Sequence, residues 1–403
     1  MTPASTRRIW ALVALAGLAL VMRLTLFPTS DPDTGTFHWC VLCGDFGLAD
    51  FIANVILFMP LAAGLSGMGV SWRSTVLVLF GLSAGIELVQ LVIPGRESAL
   101  GDIVANTSGA ALGAALPPWW PRRRRSGVVG GAATAGVLAV MVGAGLALRP
   151  NLPKRVYYGQ WTADLGMYDW YQGRVLSAQI GDLALPSWRL EDSRAVRERL
   201  LSGVPLGVRA IAGPRTARLA PVFSIFDQKQ QEIVVLGPDR DDLVLRVRRL
   251  AVDLRLHEPD ARWRGAMAGV SPGDTLSLGL RVSGSGLCLR LNARERCDIA
   301  LSAGEAWRLV QDRPHLTDDA QLILDGLFMI LLGLPLGLMF PKRLSGFTAI
   351  AVAVAGIALL PPALGLALTP PFQFVAFGTG IAVGGLVSEG RPAARIAPSQ
   401  QAP

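Results

Sequence analysis

The stretch SAGIELVQLVIPGRESALGDIVANTSGAALG, residues 83–113, decides how this chain is read. Two apolar runs, 73–94 and 99–118, meet inside it. Crossing a bilayer takes roughly 20 residues, and both runs reach that length. Yet each carries polar groups at helical spacing. Ser83, Glu87 and Gln90 lie four and three apart, so they share one helix face. Asp102, Asn106, Gly109 and Gly113 lie four, three and four apart and share another, with small residues that admit a close neighbour. An ionisable group in hydrocarbon costs at least about 2.5–3.5 kcal/mol. Glu87 must therefore be paired, protonated or open to a wet cavity.

Further apolar runs extend outward from this pair, at 9–28, 50–70, 127–148, 320–340, 345–366 and 371–388. With the first two they predict a polytopic α-helical membrane protein of about eight transmembrane helices. The composition agrees. Of 403 residues, 51% are hydrophobic and 17% charged, against about 25% charged in soluble domains. A disordered chain is excluded and an ordinary soluble enzyme is disfavoured. The net charge of +8 would suggest nucleic acid in a soluble protein. Here the basic residues flank apolar runs, so membrane lipid is the expected partner and nucleic acid is not.

The same charges orient the chain. Arg7, Arg8, Arg73, Arg122, Arg123, Arg124, Arg125, Lys342, Arg343, Arg391 and Arg395 fall on one side if odd-numbered helices run outward. The positive-inside rule then places both termini, including a tail at 391–403, in the cytoplasm. Residues 1–149 form a membrane domain of five helices, and 319–390 hold three more. Helix 1 is too long for a signal-peptide core and is read as retained.

Between them, residues 150–318 read as an extracytoplasmic all-β sandwich. Strands are expected at 222–226, 232–236, 243–249, 276–282, 287–291 and 297–301, with a short helix at 190–202. A two-residue turn at Asn292-Ala293 would set Leu291 opposite Arg294, Arg290 opposite Glu295 and Cys288 opposite Cys297, within reach of a disulfide. The strand order, with PVFSIFDQKQQEIVVLGPDRDDLVLRVR at its centre, resembles the concanavalin A-like, laminin G-like jelly rolls. That resemblance implies a two-sheet sandwich that can bind glycan. Trp161, Tyr168, Trp170, Trp188 and Trp263 could then stack on sugars, or fill the core or rest on the membrane interface.

Polar residues within the first 118 positions carry a second resemblance. Asp50-Phe-Ile-Ala-Asn54 with Phe58-Met-Pro60-Leu61, then Ser83 to Gln90, then Arg96-Glu-Ser-Ala-Leu-Gly-Asp102-Ile-Val-Ala-Asn106, preceded by Arg23 and Phe27-Pro28, resemble the VanZ-like membrane proteins. The usual Pro-Leu-Gly is Pro60-Leu61-Ala62 here. The family's name-giving member is associated with lowered glycopeptide susceptibility, and no reaction is implied. The resemblance marks Arg23, Asn54, Glu87, Gln90, Arg96, Asp102 and Asn106 as a candidate intramembrane site. Glu87 is expected to pair with Arg96 or Arg23. The same residues read equally as interhelical glue.

Cys40 and Cys43 stand in the outward loop before helix 2, where a small disulfide is the expected state. A metal site would need a fourth ligand beside His38, and none is found. No cofactor motif is present, and His38, His257 and His315 are too scattered for a triad. Phe51–Asn54 faintly echoes Leu322–Asp325, and Val104–Gly109 echoes Val375–Gly380, which raises a degenerate duplication. Three functions remain open: an envelope protein handling a cell-wall or lipid-linked component, a transporter or enzyme for an amphipathic substrate, or a scaffold that displays the sandwich to glycan or an envelope protein. With no nucleophile and base in view, enzymatic activity is disfavoured.

Overall fold

The computed structural model describes residues 3–28, 36–122, 127–163, 166, 168–283, 286–297, 299, 301–313, 316–339 and 344–389. Arg123, Arg124, Arg125, His315, Lys342, Arg343, Arg391, Arg395 and the tail 391–403 lie outside the described residues. In chain order the elements are α1 (Pro3–Thr25), β1 (Phe37–His38), α2 (Gly47–Gly67), α3 (Trp72–Gln90), β2 (Ser98–Ala99), α4 (Leu100–Arg122) and α5 (Gly127–Ala147). Then come β3 (Tyr157–Trp161), β4 (Arg174–Ile180), β5 (Leu183–Ala184), α6 (Ser193–Leu201), β6 (Leu206–Ile211), β7 (Phe223–Asp227), β8 (Glu232–Asp239) and β9 (Asp242–Val247). They are followed by α7 (Leu250–Asp253), β10 (Ala261–Trp263), β11 (Thr275–Ser283), β12 (Gly286–Leu291), β13 (Arg294–Arg296), α8 (Asp318–Met339), α9 (Leu344–Ala363) and α10 (Pro371–Glu389). The chain divides into two compact units. One is Met1–Leu138 with Leu322–Val354 and Pro371–Pro403, the other Ala139–Gln321 with Ala355–Pro370.

The expected count of about eight membrane spans is not supported. Among the described residues, four helices are long and apolar enough to cross a membrane: Arg7–Thr25, Gly47–Gly67, Trp72–Gln90 and Asp318–Leu338. Within α5, α9 and α10 the apolar stretches Gly131–Ala147, Phe347–Ala363 and Pro371–Leu386 are described. Helix α4 has the length, but Asp102, Asn106, Thr107 and Ser108 dilute its apolar character.

Helices α1 to α4 share a core of Val21, Phe58, Leu61, Leu79, Ile86 and Ala110. Close approach of α2 and α4 depends on glycine. A Cβ on Gly109 would overlap the Val55 carbonyl oxygen, and one on Gly113 the Met59 carbonyl oxygen. Helices without a hydrophobic drive in lipid associate through such small-residue seams. Ser66 Oγ adds a bond to the Ala114 carbonyl at 2.8 Å, and Trp72 Nε1 one to the Ala111 carbonyl at 3.0 Å.

The α8–α10 pair repeats this seam. A Cβ on Gly380 would overlap the Ile330 carbonyl oxygen, and one on Gly384 that of Leu334. Gly109 and Gly113 correspond to Gly380 and Gly384, so Val55 and Met59 correspond to Ile330 and Leu334. The expected echo of 51–54 in 322–325 is therefore one helical turn out of register. The corrected register sets Asp50 against Asp325 and Pro60-Leu61 against Pro335-Leu336. Gln373 falls at the position of Asp102, and both Asp325 and Gln373 are buried.

The second unit holds two antiparallel sheets, ordered β10-β9-β8-β7-β3 and β13-β12-β11-β6-β4-β5. Alternate residues of both sheets fill one core, including Tyr157, Ile180, Val208, Phe223, Ile225, Leu236, Leu278 and Leu289. Strands β7, β8, β9, β11 and β12 lie where alternation predicts, and α6 lies within 190–202. The strand expected at 297–301 falls partly outside the described residues, and β13 instead occupies Arg294–Arg296. Asn292, at φ 55°, makes the turn that pairs Leu291 with Arg294 and Arg290 with Glu295. Cys288 and Cys297 are joined by a disulfide.

Gly113→Leu should open the α2–α4 seam and cost about 1–3 kcal/mol, as overpacked interiors do. Thermal unfolding of the detergent-solubilised protein checks this. Gly85→Leu is the control, because a Cβ there meets nothing within 4 Å. An equal loss in both variants would show that the seam is not specific.

Candidate functional site

Helix α3 starts at an N-cap, where the Ser71 side chain accepts from the Ser74 amide. Its buried face carries Thr75, Leu79, Ser83, Ile86, Glu87 and Gln90, so four of these six inward residues are polar. Near the end of this helix, Glu87 is buried and faces the start of α4. Its Oε2 accepts the Ser98 hydroxyl at 2.9 Å and the Ala99 amide at 2.9 Å. The first turn of any helix leaves amides without intrahelical partners, and a carboxylate there also meets the positive end of the helix dipole. Glu87 thus fastens the entry to α4.

The expected ion pair of Glu87 with Arg96 or Arg23 is absent among the described residues. Arg96 turns instead to the end of α1, donating from Nε to the Phe27 carbonyl at 2.8 Å and from Nη2 to the Leu24 carbonyl at 2.7 Å. Gln90 Nε2 donates to the Thr25 carbonyl at 2.9 Å. Carbonyls at a helix C-terminus lack intrahelical donors, so a cation and an amide there satisfy a real deficit. Partial burial and the nearby Arg23 charge lower the Arg96 pKa. Arg23 itself is exposed and lies over the Phe27 ring, 4.2 Å from its centroid.

On the α2–α4 side, Asn54 Nδ2 donates to Asp102 Oδ1 at 2.6 Å. Asp102 is half-buried, and its second oxygen has no donor among the described residues. Asn106 Nδ2 donates to Ser83 Oγ at 3.0 Å. The amide oxygens of Gln90 and Asn106 are buried without hydrogen-bond partners. Such atoms are costly unless something supplies a proton to them. The structure therefore sorts the seven candidates. Glu87, Gln90 and Arg96 hold backbone, Arg23 makes none of these hydrogen bonds, Asn54 donates to Asp102, and Gln90, Asp102 and Asn106 keep acceptor capacity in reserve.

The segment before α2 is tied to the same place. Strand β1 pairs in parallel with β2, Phe37 opposite Ser98 and His38 opposite Ala99. The Gly101 amide donates to the Cys40 carbonyl at 3.0 Å, and a Cβ on Gly101 would overlap the Val41 carbonyl oxygen. Cys40 and Cys43 are joined by a disulfide. This segment therefore packs against the first turn of α4, one residue from Asp102.

These contacts draw on Arg23 through Asn106. Residues 8–121 match the VanZ/LLP1 family model. No curated protein and no solved structure matches the chain. All seven candidate residues lie inside the VanZ-like segment.

The aromatic candidates of the β unit divide. Trp161 and Trp263 pack against the core, and Trp161 Nε1 donates to the Leu185 carbonyl at 3.1 Å. Tyr168 is fixed by its hydroxyl, which donates to Glu232 Oε1 at 2.5 Å and accepts from Arg246 Nη1 at 2.7 Å. Trp170 and Trp188 stand 62% and 76% exposed. Ser98 and Thr25 were not singled out by sequence: Thr25 contributes its backbone carbonyl, which any residue supplies, and Ser98 lies in the non-helical link where no periodicity marks it.

Glu87→Leu should strand the Ala99 amide at a cost of about 1–3 kcal/mol, while the Ser98 hydroxyl keeps the Glu87 backbone carbonyl as its acceptor. Glu87→Gln keeps one acceptor and should lose less. Thermal unfolding of both variants in detergent tests the order, and a Leu variant as stable as wild type would refute the fastening role.

Proposed function

We propose that the chain is a cell-envelope membrane protein whose VanZ-like segment engages the polar part of a cell-wall or lipid-linked component at the outer leaflet. This engagement is expected to affect glycopeptide susceptibility. The observation that carries the reading is the half-buried Asp102 carboxylate, with one open oxygen, held by Asn54 beside a disulfide-stapled segment. Acceptors in a partly dry site suit a ligand rich in hydroxyl and amide donors. The β unit is read as a concanavalin A-like jelly roll presented to the wall.

Topology supports this placement. Arg7, Arg8 and Arg73 mark the cytoplasmic ends of α1, α2 and α3 under the positive-inside rule. The Glu87–Asp102 cluster lies at the opposite end of α3. Three spans before the β unit put it outside, and α8 returns the chain, so both termini are cytoplasmic. If α4 and α5 also cross, they add a pair and leave that parity unchanged. Two disulfides on the outward side agree with an oxidising compartment.

A second reading rests on Glu87, Gln90 and Arg96 all bonding backbone. In it the cluster is architecture alone, and the helices display the β unit to glycan or to an envelope protein.

Asp102→Asn separates the two. Glycopeptide susceptibility of a bacterial host is compared for wild type and variant at matched membrane levels. The first reading expects wild type to shift susceptibility and the variant to lose the shift while keeping its thermal stability. Identical behaviour of the two proteins contradicts it. Placement is checked by labelling Ser271→Cys and Val70→Cys in intact cells with an impermeant maleimide, which should reach Ser271→Cys and not Val70→Cys.

A further inference from the structure

The outer face of the six-stranded sheet carries a groove of about 400 Å³. Clefts of roughly 300–1,000 Å³ are the usual size for small-ligand sites. Its floor follows from strand register. Gln179, Gly207, Gly279, Arg290 and Glu295 lie directly opposite one another across β4, β6, β11, β12 and β13. The row beside it is Ser177, Arg209 and Ser277. Two glycines side by side remove the side chains that would fill the middle. A Cβ on Gly207 would meet nothing within 4 Å, so the space above it is open.

Charge on this face is unbalanced. Arg209, Arg281 and Arg290 line the groove, with Glu295 as the acidic residue among its lining. Arg281 pairs with Glu295 at 3.2 Å. Arg209 and Arg290 are exposed and make no ion pair or side-chain hydrogen bond among the described residues. An exposed guanidinium offers a planar fork of donors that matches a carboxylate or phosphate. Ser177, Gln179 and Ser277 add neutral donors and acceptors between the charges, which suit hydroxyl groups.

We infer that this groove binds an acidic glycan strand, with Arg209 and Arg290 holding its acid groups and the Gly207–Gly279 floor admitting the sugar ring. A furrow open above Gly207 and bordered at Gly279 by the Arg290 stem suits an extended chain better than a flat lipid surface. The site is separate from the four tryptophans expected to stack on sugar, none of which lines it. A wall glycan meets this face only if the β unit lies outside the cytoplasm, as proposed above. Binding by purified protein is independent of that placement, so the two can fail separately.

The test uses full-length protein in phosphatidylcholine nanodiscs and a fluorescent galacturonate hexamer, with its fully methyl-esterified, neutral form as control. Wild type should bind the acidic hexamer at least about tenfold more tightly than the ester, and less tightly as salt rises. Arg209→Ala/Arg290→Ala removes the charge, and Gly207→Val fills the floor at a position with room for it. Each should weaken binding by at least about tenfold while thermal unfolding stays unchanged. Absence of binding to wild type, equal affinity for the ester, or full affinity in either folded variant would overturn the assignment. So would wild-type binding to phosphatidylglycerol vesicles, but not to the hexamer, that survives both substitutions.

Discussion

Every backbone polar group near the membrane interior must find a partner, because hydrocarbon offers none. The chain leaves helical geometry between α3 and α4, over residues 91–99, and that break must be satisfied from within the protein. Glu87 meets the amide and hydroxyl at the entry to α4, while Gln90 and Arg96 meet the carbonyls at the exit of α1. The order of polar residues along 83–106 is therefore tied to one local requirement. Three helix ends are brought to one level and sealed to one another.

The remaining architecture leans on that seal. With α4 held at its start, Gly109 and Gly113 can run along α2 at backbone contact. The β1–β2 pair and the Cys40–Cys43 staple then lie against the first turn of α4. Asp102, in the first turn of α4, is left half-buried with Asn54 as its donor. The α8–α10 pair keeps the glycine seam without an equivalent of Glu87. It carries its own buried polar residues, Asp325 and Gln373.

Much of this was legible in the sequence where periodicity carries the information. Ser83, Glu87 and Gln90 do share a buried face, and the Asn292 turn sets the cysteine pair in register. Strands β7 to β9 show clear alternation or long apolar runs. Strands β3, β4 and β6 were not foreseen: YYGQW is short and shows no apolar alternation, and RVLSAQI and LGVRAI mix glycine, serine and charge on their outer faces. That mixture is what leaves a groove on the outer face, so the feature that hid β4 and β6 also shapes that groove. Charge complementarity alone favoured a Glu87–Arg96 pair. It misled because the competing partners are carbonyls and amides at helix ends, which any residue supplies and no pattern marks. Length and apolar character together support fewer spans than about eight: α4 reaches the length, but its polar residues keep it outside the four helices that are both long and apolar enough among the described residues.

The central claim is that Glu87 holds the non-helical entry to α4 closed. Hydrogen–deuterium exchange of the protein in nanodiscs, read on the segment 96–101, tests it most directly. The Ala99 and Gly101 amides should be strongly protected in wild type. In Glu87→Leu the Ala99 protection should fall while the interiors of α2 and α3 remain protected. Rapid exchange at Ala99 in wild type, or unchanged protection in the variant, would contradict the account.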